Sequence, residues 1–468
     1  VKVKTILAFG LGPIGVAVLG ILTTPLLAWM FSPEDVGRFG VLLTSLSLLL
    51  AVSTLGLDQA YVREYHTVSN RFSLFITSMA PSIPFLIALC ILTIPFADYI
   101  SELIFGLSNS VLTYLLMIAA LLNYFCRMFS LTLRMGEKGL AYSLSQIIPK
   151  IVLIVAICVY WIVPGSKTIL HLLIALNISM LTVLIFLIWE NRSDARNYFK
   201  ASLNLLDLKP LFKFGLPLLF AALAFQAISA VTIFSLRSLS TFSEVATYSI
   251  TLRFASAAML VQSIFSIVWA PIVYKWHSEN KDMNRVGSIT RSIVAIVCLF
   301  ASMSGTFAWV ADYLLPVDYS QVKFLLVCLM VQPLLYTLSI VTSVGLGLER
   351  RSSFSFYTSL IALIANFFLC LIMIPSLGAA GAVMANTISF SILFVLNTEA
   401  SARVWRGFPR LKMYVSLIVV VGFSIVTVIF GELLSNKIWT LWFLLGLATV
   451  YIFKEEFRDI YSSVRKRL

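Results

Sequence analysis

SITLRFASAAMLVQSIFSIVWAP, residues 249–271, carries a single charge, the guanidinium of Arg253. A run of about 20 apolar residues is what a helix needs to cross the ~30 Å hydrocarbon layer of a bilayer. The stretch therefore reads as a transmembrane helix with a permanent cation inside it, and the rest of the chain repeats the apolar pattern. Of the 468 residues 60% are hydrophobic and 12% charged, about half the charged share of a soluble domain. The charges arrive in short clusters between long apolar runs. A membrane β-barrel would show alternating segments of roughly ten residues instead. The fold class is all-α, a polytopic membrane protein.

About fourteen spans can be marked off between charged or turn-rich breaks, at roughly 5–30, 39–60, 73–97, 111–133, 140–163, 168–189, 211–236, 246–273, 291–311, 322–346, 354–375, 379–400, 413–431 and 438–453. Lys2 and Lys4 ahead of the first run resemble the start of a signal peptide. The run reaches about Met30, longer than a signal core of roughly 7–15 residues, and reads as the first span. With the N-terminus placed inside, the inner segments collect 26 of the 34 Lys and Arg, while the outer loops hold only Arg38, Lys167, Arg237, Lys323 and Lys437. Cytoplasmic loops are the ones enriched in Lys and Arg, so both termini are expected in the cytoplasm. The net charge of +13 then calls for no nucleic acid. Three cations are left within spans: Arg127, Lys150 and Arg253.

No loop is long enough for a soluble catalytic domain. The basic segment 191–210 divides the first twelve spans into two sets of six, and the two sets resemble each other. AFGLGPIG (8–15) opens the first span and KFGLPLLF (213–220) the seventh. SPEDVGRF (32–39) answers TFSEVATY (241–248), RMGEKG (134–139) answers GLERRS (347–352), and Pro164-Gly165 answers IPSLG (374–378). The offsets are 205, 209, 212 and 211 residues, in order along the chain. Six is even, so the copies share one orientation, a parallel repeat about the membrane normal. The expected organisation is an N-terminal lobe 1–190, a linker 191–210, a C-terminal lobe 211–402, and two extra spans with a basic tail over 403–468.

Several of these motifs resemble one family. MIPSLGAAGAVMANTIS (373–389), FSPEDVGRFG (31–40), LGLDQAYVRE (55–64), WAPIV (269–273) and GLGLER (345–350) are similar to patterns of Wzx-type flippases of lipid-linked oligosaccharides, in the superfamily that also holds multidrug exporters and peptidoglycan-precursor flippases. The resemblance implies a two-lobed transporter in the bacterial inner membrane, with a cavity lined mainly by spans 1, 2, 7 and 8. It implies alternating access, in which the sugar-diphosphate head group of an undecaprenyl lipid crosses while its tail stays in the bilayer. It also implies spans 13 and 14 as a groove for that tail, and a polysaccharide polymerase and a chain-length regulator as candidate partners besides membrane lipids. Some relatives carry charge on the first span; here ILTTPLLAW offers Thr23 and Thr24 instead.

A charge at mid-bilayer costs at least ~2.5–3.5 kcal/mol on insertion scales. Arg253 lies roughly 10–12 Å below the outer end of its span at 1.5 Å per residue. It either meets an anionic head group, for which a guanidinium is well shaped, or snorkels to the interface; the cavity wall implied for span 8 favours the first. Lys150, with Ser143 and Gln146 on its face, either touches substrate or braces a lobe. Arg127 continues a stripe with Asn123, Ser130 and Arg134 and reads as a snorkelling side chain. The candidate substrate-binding set is Arg253, Lys150, Arg127, Arg63, Thr23, Thr24, Gln59 and Gln262. Pro13 and Pro217 recur at like places in the two halves and are the candidate hinges.

No acidic residue reads as deep within a span. Asp58 and Glu399 come closest; Asp58 with Arg63 is the only candidate for an ion-coupling site, and an interfacial ion pair is the reading preferred for it. That suits an anionic cargo better than a cation exporter, which typically needs a buried carboxylate. A proton or sodium gradient is the candidate energy source, with no residue assigned to it and no cofactor or metal implied. The six cysteines lie inside apolar runs without metal-ligand spacing, and His66, His171 and His277 form no catalytic or metal pattern. Trp29, Trp161, Trp189, Trp309, Trp439 and Trp442 lie near span ends and read as interfacial anchors, not a sugar platform. The rival readings are a multidrug exporter of the same superfamily and a membrane-embedded polymerase, ligase or acyltransferase. The polymerase or ligase lacks its large outer loop, and the acyltransferase its deep histidine.

Overall fold

A computed structural model of the chain describes residues 3–68, 70–162, 165, 167–194, 197–198, 201–203, 208–279, 284–349, 351, 353–405, 410–434 and 437–465. Every regular element among them is helical. Ten helical stretches among the described residues are long and apolar enough to cross a membrane. The seventh and eighth spans are helices of 32 and 37 residues, Leu208–Leu239 and Phe242–Ser278. The chain is a multi-pass membrane protein, and its helices form two compact units, Val1–Ile233 and Phe234–Leu468.

In the first unit, span 1 (Val3–Met30) lies along span 5 (Gly139–Ile162). The Gly12 amide donates to Ser143 Oγ at 3.0 Å, and the Ser143 hydroxyl donates in turn to the Ala8 carbonyl. Without a hydrophobic force between helices in lipid, such small-residue approaches and polar bonds hold spans together. The third span is longer than its apolar run, covering Arg71–Phe105 in three segments. It breaks near Pro81 and Pro95, where the helix loses an N–H donor. Asp35 at the start of Pro33–Thr54 pairs with Arg38 at 2.8 Å, and Arg38 Nε donates to the Phe105 carbonyl that closes the third span. Part of the segment read as a basic linker is packed. The Tyr198 ring lies 5.0 Å from that of Phe72 and 5.1 Å from that of Phe75, and Ser73 Oγ donates to the Ser202 carbonyl.

The second unit is built on span 10, Val322–Thr342, which is buried along almost its whole length. A ladder of polar pairs joins it to the twelfth span: Cys328 with Thr387, Gln332 with Asn386, Ser339 with Asn397, and Thr342 with Thr398. Spans 11 and 12 run through Ser353–Val404, which breaks at Gly378 (φ 53°, ψ −128°). The IPSLG turn read from sequence is this break. A side chain there would be strained by the positive φ and would collide with the Glu244 carboxylate. Glu244 Oε2 instead accepts the Ala379 N–H at 2.6 Å, capping the twelfth span at its first turn.

Spans 13 and 14, Leu411–Leu434 and Lys437–Ile452, pack on the ninth, Asn284–Phe307. Their tryptophans correct the sequence reading. Trp442 is fully buried; its indole N–H donates to Thr427 Oγ1 at 3.0 Å and its ring fills the notch at Gly305. An interfacial anchor would be wet at one end, and this ring is a core residue. Trp29, Trp161 and Trp189 are exposed. The described part of the C-terminal tail forms a helix, Lys454–Arg465, tied back through Glu456 to Lys412 at 3.0 Å.

Candidate functional site

The second span, read as continuous over 39–60, is broken. Its helix Pro33–Thr54 ends at Leu55 (φ 52°), Gly56 adopts φ 73°, and a new helix runs Leu57–Glu64. The cause is a backbone contact within the first unit. Gly56 abuts Gly215 of the seventh span so closely that a Cβ on either would overlap the other's backbone. Only glycine allows both the left-handed conformation and that approach. Non-helical backbone at membrane depth is tolerated where it is packed in protein or lines a polar cavity, and here it does both.

The break starts a new helix N-terminus inside the unit, where the partial positive charge of the amides favours an acid. Asp58 occupies the first turn and is only 6% exposed. Its Oδ2 accepts from Gln59 Nε2 at 2.9 Å, from Arg127 Nη2 at 2.8 Å and from Arg127 Nε at 3.3 Å. Arg127 belongs to the fourth span, Ser110–Met135, eight residues and thus about 12 Å from its end. Two sequence readings fall here. Arg127 does not snorkel; it turns inward onto a carboxylate that compensates its charge. Asp58, read as interfacial and paired with Arg63, is a buried acid whose partner is Arg127. Arg63 instead lies 4.1 Å above the Phe214 ring and 3.4 Å from Glu64.

A cavity of about 450 Å³ opens at the break, lined by Ser47, Thr54, Asp58, Gln59, Arg127 and Gln226 among others. Ser47 Oγ donates to Gln226 Oε1 at 2.6 Å, joining the second and seventh spans across it. Its apolar lining is Leu50, Ala51, Leu218 and Leu219, and Leu57, next to Asp58, is buried in a cluster with Tyr61, Phe75, Tyr124 and Met128. The lining balances one carboxylate against one guanidinium and adds amides and hydroxyls that both donate and accept. Two of the five guanidinium N–H directions of Arg127 are turned to Asp58, and the fork has others to offer an anion. Among the described residues no group of three or more His, Cys, Asp or Glu could hold a metal ion.

Of the candidate residues, the structure brings Gln59 and Arg127 together here. Thr23 and Thr24 are buried, and their hydroxyls are bound to the carbonyls of Leu19 and Gly20 one turn back. Lys150 is half-buried one turn beyond Gln146 and Ile147, on the face that meets Gly12 and Gly15 of span 1. Pro13 and Pro217 lie inside the helices Val3–Met30 and Leu208–Leu239. In the second unit Arg253 and Gln262 are both half-buried on Phe242–Ser278. Nine residues at about 100° each set them on opposite sides of that helix. Ser47 and Gln226 were missed. A lone glutamine in AFQAIS, within an otherwise apolar span, was the legible signal.

A family model described as polysaccharide biosynthesis protein matches residues 3–277. Among solved structures, the lipid II flippase MurJ in its inward closed conformation aligns with a TM-score of 0.72 over 98% of this chain and 100% of its own, at 15% identity. An inward-facing multidrug resistance MATE family transporter of the MOP superfamily aligns at 0.62 over 86% and 95%, also at 15% identity. Its outward-facing counterpart aligns at 0.56 over 88% and 96%, at 16% identity. At such identities the likeness is one of fold. These neighbours are flippases and transporters rather than enzymes. A search of curated sequences returned no significant match.

Proposed function

The chain belongs to the family of polysaccharide biosynthesis proteins, and from that premise we propose that it is a flippase for a lipid-linked oligosaccharide. The cargo is a repeat unit of a surface polysaccharide such as O-antigen, carried on undecaprenyl diphosphate across the bacterial inner membrane. The observation that supports this reading is the polar cavity at the broken second span. Its amides, hydroxyls and internally neutralised ion pair suit a hydroxyl-rich head group, and Arg127 offers a fork to phosphate. Arg253 and Lys150 are the further cations assigned to the diphosphate. Site access alternates between the two membrane faces, and a proton or sodium gradient supplies the energy. A polysaccharide polymerase and a chain-length regulator are the partners that would consume the product.

One observation favours a second reading, a small-molecule exporter. Asp58 is a buried carboxylate of the kind a cation exporter uses, and the fold is shared with MATE transporters. Native mass spectrometry of the purified full chain separates the two. A copurified polyprenyl-diphosphate sugar supports the flippase; organic cations bound with no such lipid would sink it.

A further inference from the structure

Two of the tryptophans read as anchors do not stand alone. Trp309 ends the ninth span and Trp439 begins the fourteenth, and they meet in a cavity of about 610 Å³ within the second unit, with Tyr313, Asp312, Lys323 and Glu432 in its lining. The volume is within the ~300–1,000 Å³ range of small-molecule sites. All four loop-proximal elements around it, the ends of spans 9 and 13 and the starts of spans 10 and 14, lie on the face that the loop charges mark as outer.

The rings are held in place. Trp439 stacks on Phe324, with centroids 5.8 Å apart and planes 8° from parallel, while Trp309 and Tyr313 meet edge to face at 5.7 Å. Phe324 is itself buried against Gly431, where a Cβ would strike its ring. The indole of Trp439 is thus presented on a fixed support. Around these rings the polar groups alternate in kind. Asp312 and Lys323 are paired at 2.6 Å, Glu432 adds acceptors, and Ser320 adds a hydroxyl.

We propose that this cavity is a saccharide-binding site taking one or two sugar rings. A pyranose has an apolar C–H face that lies against the electron-rich face of an aromatic ring, and a rim of hydroxyls that donate and accept at once. Carboxylate oxygens take the donated bonds, and the Lys323 ammonium and Ser320 hydroxyl supply the others. Lys323 is already paired with Asp312, so Glu432 leaves the wall with one carboxylate in excess, and an organic cation is the competitor that the test must separate from a sugar. The site adjoins a second cavity of about 470 Å³ that shares Phe324 and Glu432 and reaches the Pro375–Gly378 turn, which gives a longer glycan room to continue. The identity of the glycan rests on the flippase reading; the binding chemistry does not.

The test uses the full chain in nanodiscs, titrated with free N-acetylglucosamine, chitobiose, galactose and lactose, and with tetramethylammonium as the cation control. Saturation-transfer NMR and tryptophan fluorescence report binding. At least one saccharide saturates the wild type, and Glu432→Gln and Trp439→Ala each weaken it tenfold or more, while Trp161→Phe leaves it unchanged. Glu432 is exposed, so its variant keeps the test valid if Trp439→Ala folds poorly. The proposal is overturned if none of the four sugars saturates, if saturation survives Glu432→Gln, or if tetramethylammonium competes them away. A purified chain whose copurified lipid bears no sugar would refute the flippase reading while this titration still reports on the cavity.

Discussion

Removing Arg127 tests the candidate site at its most constrained contact. Arg127→Met keeps the length and apolar bulk of the side chain and deletes the fork that Asp58 accepts from at 2.8 and 3.3 Å. The Asp58 side chain is 9% exposed and that of Arg127 30%. The pair therefore falls between surface pairs, worth about 0–1 kcal/mol, and buried pairs, whose disruption costs about 3–5 kcal/mol. Losing Arg127 leaves a carboxylate with one amide donor, and we place the cost at about 2–3 kcal/mol. Asp58→Asn costs less, about 1–2 kcal/mol, because the amide oxygen still accepts and the guanidinium is a third open to water. The double variant should cost less than the sum, with a coupling of about 1–2 kcal/mol. Arg127→Lys should recover only part of it, since an ammonium lacks the planar fork. Equilibrium unfolding in mixed SDS–maltoside micelles, followed by tryptophan fluorescence, reads the four variants against the wild type. A coupling within about 0.5 kcal/mol of zero would mean that the two side chains do not meet and would return Arg127 to the interface.

Other outcomes follow from single contacts. Gly56→Ala should abolish recovery of monodisperse protein on size exclusion, because it adds a left-handed strain of about 1–2 kcal/mol to an overlap with the Gly215 backbone that no rotamer relieves; a wild-type yield would contradict this. Glu244→Ala should speed hydrogen exchange of the Ala379 amide about tenfold, the effect of losing a cap worth about 1–1.5 kcal/mol, with Glu244→Gln much closer to wild type. Trp442→Ala should cost about 3–5 kcal/mol in the same micelle titration, whereas Trp442→Phe should lose mainly its bond to Thr427, about 1 kcal/mol. Arg253→Ala should abolish polymer export at normal expression, with partial export by Arg253→Lys, scored on surface-polysaccharide blots; full export by the alanine variant would leave Arg253 as a snorkelling side chain.

Apolar runs and loop charges were enough to read the spans, because a bilayer imposes one length on every crossing. The Pro-x-x-Gly turn was legible too, since Gly378 needs a positive φ. The break at Gly56 was not. A glycine in an apolar stretch such as VSTLG (52–56) is ordinary in a membrane helix, and what unwinds this one is a backbone 159 positions away in sequence, at Gly215. The same holds for Asp58. Counted along the chain it sits five residues from Arg63 and looks like one member of an interfacial pair. Only the fold places it beside Arg127, 69 residues on. Trp309 and Trp439 read singly as span-end tryptophans, and that they line one cavity is a tertiary fact.

The stretches matched as a repeat in sequence differ in the contacts they make. GLGPIG of the first span meets the fifth through Gly12 and Ser143, whereas the matching FGLP of the seventh meets the broken second span through Gly215. At the repeat offset of 209, Leu55, Gly56 and Asp58 correspond to Ile264, Phe265 and Ile267. With no glycine and no acid there, Phe242–Ser278 runs on as one helix, without the break seen at Gly56. The cation is unequal in the other sense. Arg253 corresponds to Thr44, whose hydroxyl is bound to the Gly40 carbonyl of its own helix. At the positions matched by the offset, the two halves carry different polar groups. If the chain is a flippase, its cargo meets a carboxylate–guanidinium pair in the first half and the Arg253 guanidinium in the second.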